Sequence, residues 1–205
     1  MSPASQDPRP VPPGMTRRGI LMLSAVTTAG LTLAAIAITA NWGHPDGTPF
    51  ARGMAAWRQV GIGLGIGSVL AMVMSLVEIR VALFDEMRRI VHDVFHTIRP
   101  ARIDLLLVSL GAGWGEELLF RGAIQPHLGI WPAAVVFALA HFLLTRLTWG
   151  RLAYTAALVL AGAGLGYLAE WAGLLAAMTA HAAYDFVALL WAEWDFRREE
   201  RASIS

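Results

Sequence analysis

The feature that most constrains this chain is a series of about six long apolar segments joined by short connections. They lie at Ile20–Ala40, Val60–Leu83, Arg102–Gln125, Ile130–Thr145, Leu152–Glu170 and Gly173–Trp194. A helix of about 20 apolar residues crosses the hydrocarbon core of a bilayer, where only helices and closed barrels satisfy the backbone. Together with 56% hydrophobic residues, this predicts an all-α fold, a polytopic transmembrane bundle of about six spans in a lipid bilayer.

The arginines predict the orientation of the bundle. All 16 basic residues are arginine. With an inner N-terminus, thirteen lie on the inner side, only Arg52 and Arg58 lie in outer loops, and Arg121 lies within a span. The positive-inside rule therefore predicts that both termini are cytoplasmic. The arginine-only composition suggests a bacterial genome and hence the inner membrane. The basic residues are scattered rather than gathered in a stripe, which argues against a nucleic-acid partner.

The N-terminal region combines a polar tail with a basic flank. Residues 1–15 are rich in proline and polar side chains, which predicts a disordered tail. The stretch TRRGILM (Thr16–Met22) resembles a twin-arginine export signal, and the alternative is a signal anchor with two flanking arginines. We favour the anchor because five more apolar spans follow.

The connection Asp85–Pro100 has apolar residues at helical spacing and a charged opposite face. This pattern predicts an amphipathic helix on the cytoplasmic surface. Its HDVFH stretch places His92 and His96 four residues apart, as in a zinc-binding HExxH helix. Because Asp replaces the Glu and no third ligand is evident nearby, a solvated helix face is favoured over a metal site.

Glycines recur in GIGLGIG (Gly61–Gly67) and GAGLG (Gly162–Gly166). A phosphate-binding loop requires a preceding strand, which the pattern does not predict. Small residues four apart let two membrane helices approach closely, and this is the favoured interpretation.

Several ionisable residues lie inside the apolar segments. They are Glu116, Glu117, Arg121, His141, His181 and Asp185. A charge at the centre of a membrane helix costs about 2.5–3.5 kcal/mol on insertion scales, so such residues face the bundle interior, pair with one another and mark functional sites. At about 1.5 Å per residue, those of three separate spans lie roughly 12–18 Å below the predicted outer ends, near the bilayer midplane.

Helical spacing predicts which of these residues meet. Glu117 and Arg121 are four residues apart and can pair along one helix, which leaves Glu116 pointing elsewhere. Phe137 shares a face with His141, and likewise His181 with Asp185. The structural alternative is a buried ion-pair network that only fixes helix register.

Three motifs carry a family resemblance. EELLFR matches EExxxR, FALAH matches FxxxH and HAAYD matches HxxxN/D, in that order on successive apolar segments. The chain thereby resembles the CPBP family of intramembrane endopeptidases, which includes the type II CAAX prenyl proteases and the bacteriocin-processing enzymes. The resemblance covers roughly 102–195, the expected catalytic core. It leaves 16–101 as two accessory spans with the amphipathic helix, and 196–205 as a cytoplasmic tail.

The resemblance implies peptide-bond hydrolysis by activated water. Glu116 and His141 would hold and deprotonate the water, His181 and Asp185 would stabilise the oxyanion, and Glu117 with Arg121 would support the site. Because the family alternative at the last position is Asn, which always donates a hydrogen bond, we expect Asp185 to act as a protonated donor. The alternative is an ionised Asp185 that orients and charges a histidine, which then stabilises the oxyanion. Water must reach the midplane, so a hydrated cavity is required.

Cofactor and substrate are less constrained. Family members have been described as both metalloproteases and glutamic proteases. We favour a site without a metal; zinc is the alternative, with Glu116, His141 and His181 as ligands. The expected substrate is a membrane-anchored or hydrophobic peptide or protein. Two other function classes remain open: a non-catalytic immunity or scaffold protein, and a proton-coupled transporter. Small size and the lack of obvious repeated halves argue against the transporter.

Overall fold

The computed structural model describes residues 15–51, 53–78, 80–141 and 148–204, and these are almost entirely helical. The helices are α1 (Arg17–Trp42), α2 (Ala56–Glu78), α3 (Asp85–Ile98), α4 (Arg102–Glu117), α5 (Gln125–Leu128), α6 (Ile130–Ala140), α7 (Trp149–Trp171) and α8 (Leu174–Ile204). A 3₁₀ turn at Ala82–Phe84 precedes α3, and a π-helical segment at Leu118–Ile124 joins α4 to α5.

The distribution of polar and apolar side chains is that of a membrane protein. Four helices, α1, α2, α7 and α8, are long and apolar enough to cross a bilayer, and α6 is a shorter apolar helix. Large apolar residues such as Leu33 and Val69 are exposed, whereas Glu117 and Arg121 are buried. The predicted all-α integral membrane bundle is confirmed.

The helix ends differ from the predicted ones in several places. The third span runs on as far as Leu128 and ends at Gly129, whose φ of 85° favours glycine. The predicted fourth span corresponds to α6, which ends at Ala140 rather than Thr145. Residues 142–147, and 1–14 of the predicted tail, lie outside the described residues. The last helix continues from the predicted span to Ile204, so the described part of the predicted C-terminal tail is helical. No glycine or proline interrupts it after Gly173.

Helix α8 is the centre of the bundle, with α2, α4 and α7 packed around it. The contact with α2 uses the glycine motif as predicted. A Cβ atom at Gly63 would overlap Thr179 Oγ1, and one at Gly67 would overlap the Ala180 carbonyl oxygen. Only glycine allows the two backbones to lie this close, so these two positions fix α2 against α8.

Helix α1 packs on α4 and the π-helical segment. Its first residue, Arg17, lies in the arginine pair that resembles an export signal. The Arg17 Nε atom donates to Asp104 Oδ2 at 2.6 Å, and Nη2 donates to Oδ1 at 3.0 Å. This two-bond pair joins the start of α1 to the start of α4.

The predicted amphipathic helix is present as α3 and packs on α7 and α8. The Phe95 ring stacks on Phe196 with centroids 6.1 Å apart. The His92 ring lies 3.4 Å from Asp195 Oδ2 and 3.3 Å from Glu199 Oε2, whereas His96 is exposed. Of the predicted solvated face, His96 is exposed, whereas His92 is half-buried against α8; that the two histidines do not share a metal stays a prediction.

Candidate active site

The three motifs meet in the bundle interior. The first motif spans the end of α4 and the start of the π-helical segment, the second ends α6, and the third lies in α8. In the π-helical segment the Gln125 N–H donates to the Phe120 carbonyl, five residues earlier instead of four. Such π-helical turns are rare and are frequent at functional sites.

Glu117 and Arg121 form the predicted ion pair in the most deeply buried part of the site. Arg121 Nη1 donates to Glu117 Oε1 at 3.1 Å, and both side chains are almost completely buried. Arg121 Nη2 also donates to the Gly162 carbonyl at 2.9 Å, and the guanidinium lies over the Phe137 ring at 4.6 Å. The buried charge is therefore neutralised and held on three sides.

Both histidines turn the same ring nitrogen towards Glu116. His141 Nε2 lies 3.6 Å from Glu116 Oε2, and His181 Nε2 lies 3.9 Å from the same oxygen. The other nitrogens are held in place: His141 Nδ1 is 2.9 Å from the Phe137 carbonyl, and His181 Nδ1 is 2.7 Å from Glu117 Oε1. Because a carbonyl only accepts, His141 carries its proton on Nδ1, and a neutral ring presents its Nε2 lone pair to Glu116.

Asp185 completes the cluster from α8. Its Oδ2 atom lies 3.5 Å from His181 Nε2, one helical turn earlier in the same helix. The structure therefore brings together all six residues that the sequence predicted.

The six side chains form two layers that differ in accessibility. In the inner layer, Glu117 is fully buried, Arg121 is 1% exposed and His181 is 9% exposed. In the outer layer, Glu116, Asp185 and His141 are 19%, 29% and 34% exposed. A cavity of about 280 Å³ between α2, α3, α7 and α8 reaches Asp185. The outer layer is thus partly exposed, and the cavity reaches it at Asp185, whereas the Glu116 Oε2 atom itself is buried.

The arrangement also bears on the zinc alternative. Histidine ligands commonly present Nε2 to the metal while Nδ1–H donates to a carboxylate or carbonyl, as both rings do here. In the described ranges, however, no three His, Asp or Glu side chains are grouped as a metal-binding set. The contacts suit a bound water, and the choice between the two stays a prediction.

The sequence patterns did not assign three residues to the site: Gln125, Gly162 and Gly166. Gln125 donates to the Gly166 carbonyl at 3.2 Å, parallel to the bond from Arg121 to Gly162. Both glycines belong to the motif that was interpreted only as helix packing. The polar residue at the end of an otherwise apolar span was the signal that could have identified Gln125.

Fold and site together define a polytopic membrane protein with a buried cluster of carboxylates, imidazoles and one guanidinium. Residues 99–187, which contain all six site residues, match the family model described as type II CAAX prenyl endopeptidase Rce1-like. The resemblance predicted from the three motifs is therefore confirmed for this segment.

Part of the chain is also similar to a curated protein of unknown function. The chain is 37% identical over 84 residues to the uncharacterised protein YpbD of Bacillus subtilis (strain 168), covering 40% of this chain and 42% of the relative. The chain thus matches about two fifths of the length of that relative. No solved structure matches this chain.

Proposed function

We propose that this protein is an intramembrane endopeptidase that hydrolyses a peptide bond of a membrane-associated precursor with a water activated by Glu116 and His141. The observation that carries the proposal is the convergence of His141 Nε2 and His181 Nε2 on Glu116 Oε2, a buried oxygen that has no hydrogen-bond partner among the described residues. The matched family, one of endopeptidases, supports the same chemistry.

The separations between these groups suit a bound water. Distances of 3.6 and 3.9 Å exceed a direct hydrogen bond, and contacts of this length are commonly bridged by water. Glu116 takes a proton from this water while its oxygen attacks the substrate carbonyl carbon. The protonated Glu116 then gives that proton to the leaving amine as the carbon–nitrogen bond breaks. The step is balanced without a further reactant.

The opposite side of the site stabilises the developing negative charge. With Nδ1–H donated to Glu117, a second proton on Nε2 makes His181 a cationic donor towards the oxyanion. Asp185, 3.5 Å from that nitrogen, is the second member of this pair. Glu117 and Arg121 position His181 and do not touch the reacting atoms.

The test is Glu116→Gln, which keeps the shape of the side chain and removes the base. We expect loss of cleavage of a membrane peptide in proteoliposomes by about a hundredfold or more, the usual size of a general-base contribution. Folding, measured by thermal unfolding in detergent, should be nearly unchanged. The matched control is Asp93→Asn, which removes the charge of an exposed carboxylate of α3 outside the site.

Cleavage that persists in Glu116→Gln would show that Glu116 is not the base. Measuring ion flux and partner binding with the same variant separates the other function classes. A transporter would lose flux, and a scaffold would keep partner binding without cleavage in either form. The inner-membrane location and cytoplasmic termini are part of the proposal and rest on the arginine distribution.

A further inference from the structure

The cavity that reaches Asp185 has a wall of mixed character. Most of its surface is formed by apolar side chains of α3 and α8, including Val91, Ala188 and Leu189. Polar groups enter it from α2, α7 and α8 through Glu78, Tyr154 and Tyr184. The cavity therefore runs from the candidate catalytic residues towards the end of α2 that the arginine distribution predicts to be cytoplasmic.

Most charges on this wall are already paired with protein groups. Arg88 Nη2 lies 3.4 Å from Asp85 Oδ1, and His92 lies between Asp195 and Glu199. These contacts pair Arg88 with a carboxylate and place the His92 ring next to two others, of which Asp195 lines the cavity.

Glu78 is different. Within the described ranges it forms no ion pair and no hydrogen bond, although it is partly buried at the end of α2. Removing a carboxylate from water without a cation is unfavourable, so a ligand that brings a positive charge gains from this position. Charge complementarity thus points to a cationic occupant.

The mixed polarity of the cavity wall indicates which kind of cation would fit. A carboxylate at the end of a mostly apolar cavity matches a long basic side chain, which has an apolar stem and a charged tip. Membrane-anchored proteins carry an excess of Lys and Arg immediately at the cytoplasmic end of their spans. The polar flank of such a precursor would bring this kind of side chain to the same depth as Glu78.

We propose that this cavity is a substrate subsite next to the catalytic residues and that Glu78 selects a Lys or Arg side chain on the cytoplasmic flank of the precursor. The proposal rests on the proposed function for its position relative to the scissile bond. Glu78 is a specificity residue here and takes no part in the chemistry.

The test uses synthetic single-span peptides in proteoliposomes. One flanking position at a time carries Lys, with peptides carrying Gln or Glu at that position as matched comparisons. At one position we expect the wild-type protein to prefer Lys over Gln by about tenfold in kcat/KM, a typical size for a partly desolvated charge pair. Glu78→Gln should reduce this ratio to about one and leave cleavage of the Gln peptide within about twofold. Glu78→Lys should shift the preference to the Glu peptide.

Asp93→Asn is the matched control, because Asp93 is an exposed carboxylate of α3 outside the cavity wall. It removes the same charge on the same side of the bundle and should keep the preference for Lys. A preference for Lys that is equal in the wild-type protein and in Glu78→Gln, or absent at every position, would overturn the proposal.

A binding measurement separates this proposal from the proposed function. Fluorescence anisotropy with Glu116→Gln protein compares affinities for the Lys and Gln peptides without turnover. The subsite is supported if Glu116→Gln protein binds the Lys peptide more tightly and the double variant Glu78→Gln/Glu116→Gln does not. This holds even if the wild-type protein cleaves none of the peptides, because absence of cleavage counts only against the proposed protease activity. Equal affinities would refute the subsite even if cleavage is observed.

Discussion

His181 Nδ1 and Arg121 Nη1 contact the same oxygen, Glu117 Oε1, at 2.7 and 3.1 Å. Glu117 therefore connects the buried guanidinium on the π-helical segment to the imidazole on α8. The second oxygen, Oε2, has no hydrogen-bond partner among the described residues. One carboxylate oxygen of Glu117 thus links Arg121 to His181, which belongs to the candidate oxyanion site.

Arg121→Ala should lower both stability and activity. It leaves Glu117 buried without its cation, and loss of one partner of a buried pair costs about 3–5 kcal/mol. His181 should lose its fixed orientation as well. Thermal unfolding in detergent and peptide cleavage measure the two effects. The control Arg18→Ala removes an exposed arginine and should leave both unchanged; an unaltered unfolding temperature in Arg121→Ala would contradict the role of the pair.

Gly67→Ala should destabilise the bundle because its methyl group would overlap the Ala180 carbonyl on α8. Overpacking of this kind costs about 1–3 kcal/mol. Gly65→Ala is a sensitive control, since a Cβ at Gly65 meets no atom within 4 Å. Because alanine is the better helix former, Gly65→Ala should be neutral or slightly stabilising. Equal unfolding temperatures for the two variants would show that α2 does not depend on this close contact.

Asp185→Asn should preserve most of the peptide cleavage, whereas Asp185→Ala should lose it. With Glu116 and Glu117 as anions and Arg121 and His181 as cations, a protonated Asp185 keeps the six-residue cluster neutral and donates a hydrogen bond. An amide donates in the same place, and a methyl group does not. If Asn fails as badly as Ala over the whole pH range, Asp185 acts as an anion that charges His181 instead.

Prolonged chelation should leave cleavage and metal content unaltered if the site works without a metal. The measurement pairs activity with elemental analysis of the purified protein before and after treatment. One zinc per chain that is lost together with activity, and that restores activity when added back, would overturn the metal-free site in favour of zinc, for which Glu116, His141 and His181 are the expected ligands.

Several side-chain contacts of the site could be predicted from residue spacing within one helical segment. The pair Glu117–Arg121 and the shared faces of Phe137 with His141 and of His181 with Asp185 depend only on helical periodicity, and all three are present. The meeting of three helices was predicted from the common depth of their polar residues and from the order of the motifs. The catalytic roles assigned to these residues stay predictions.

Other features depend on contacts between distant segments and left no local signal. The π-helical turn has the same apolar composition as an α-helix, and its position is fixed by the bonds of Arg121 and Gln125 to α7. The cavity at Glu78 exists because α2, α3 and α7 pack around α8. The long extension of α8 is stabilised by α3 and by Arg197–Glu193 pairing at 2.6 Å, contacts that hydropathy does not detect.

The glycine contact between α2 and α8 can form only late in synthesis, because α8 is the last helix of the chain to be made. About 100 residues separate Glu78 from Leu174, so at about 5–20 residues per second α2 leaves the ribosome roughly 5–20 s before its partner helix. During this interval the face of α2 that carries Gln59 and Ser75 has no α8 to cover it. A mean hydropathy of 2.2 lets α2 enter the bilayer without that partner. Until the last helix is inserted, α2 is therefore a solitary span, and its glycine face is open to any other membrane helix that reaches it first.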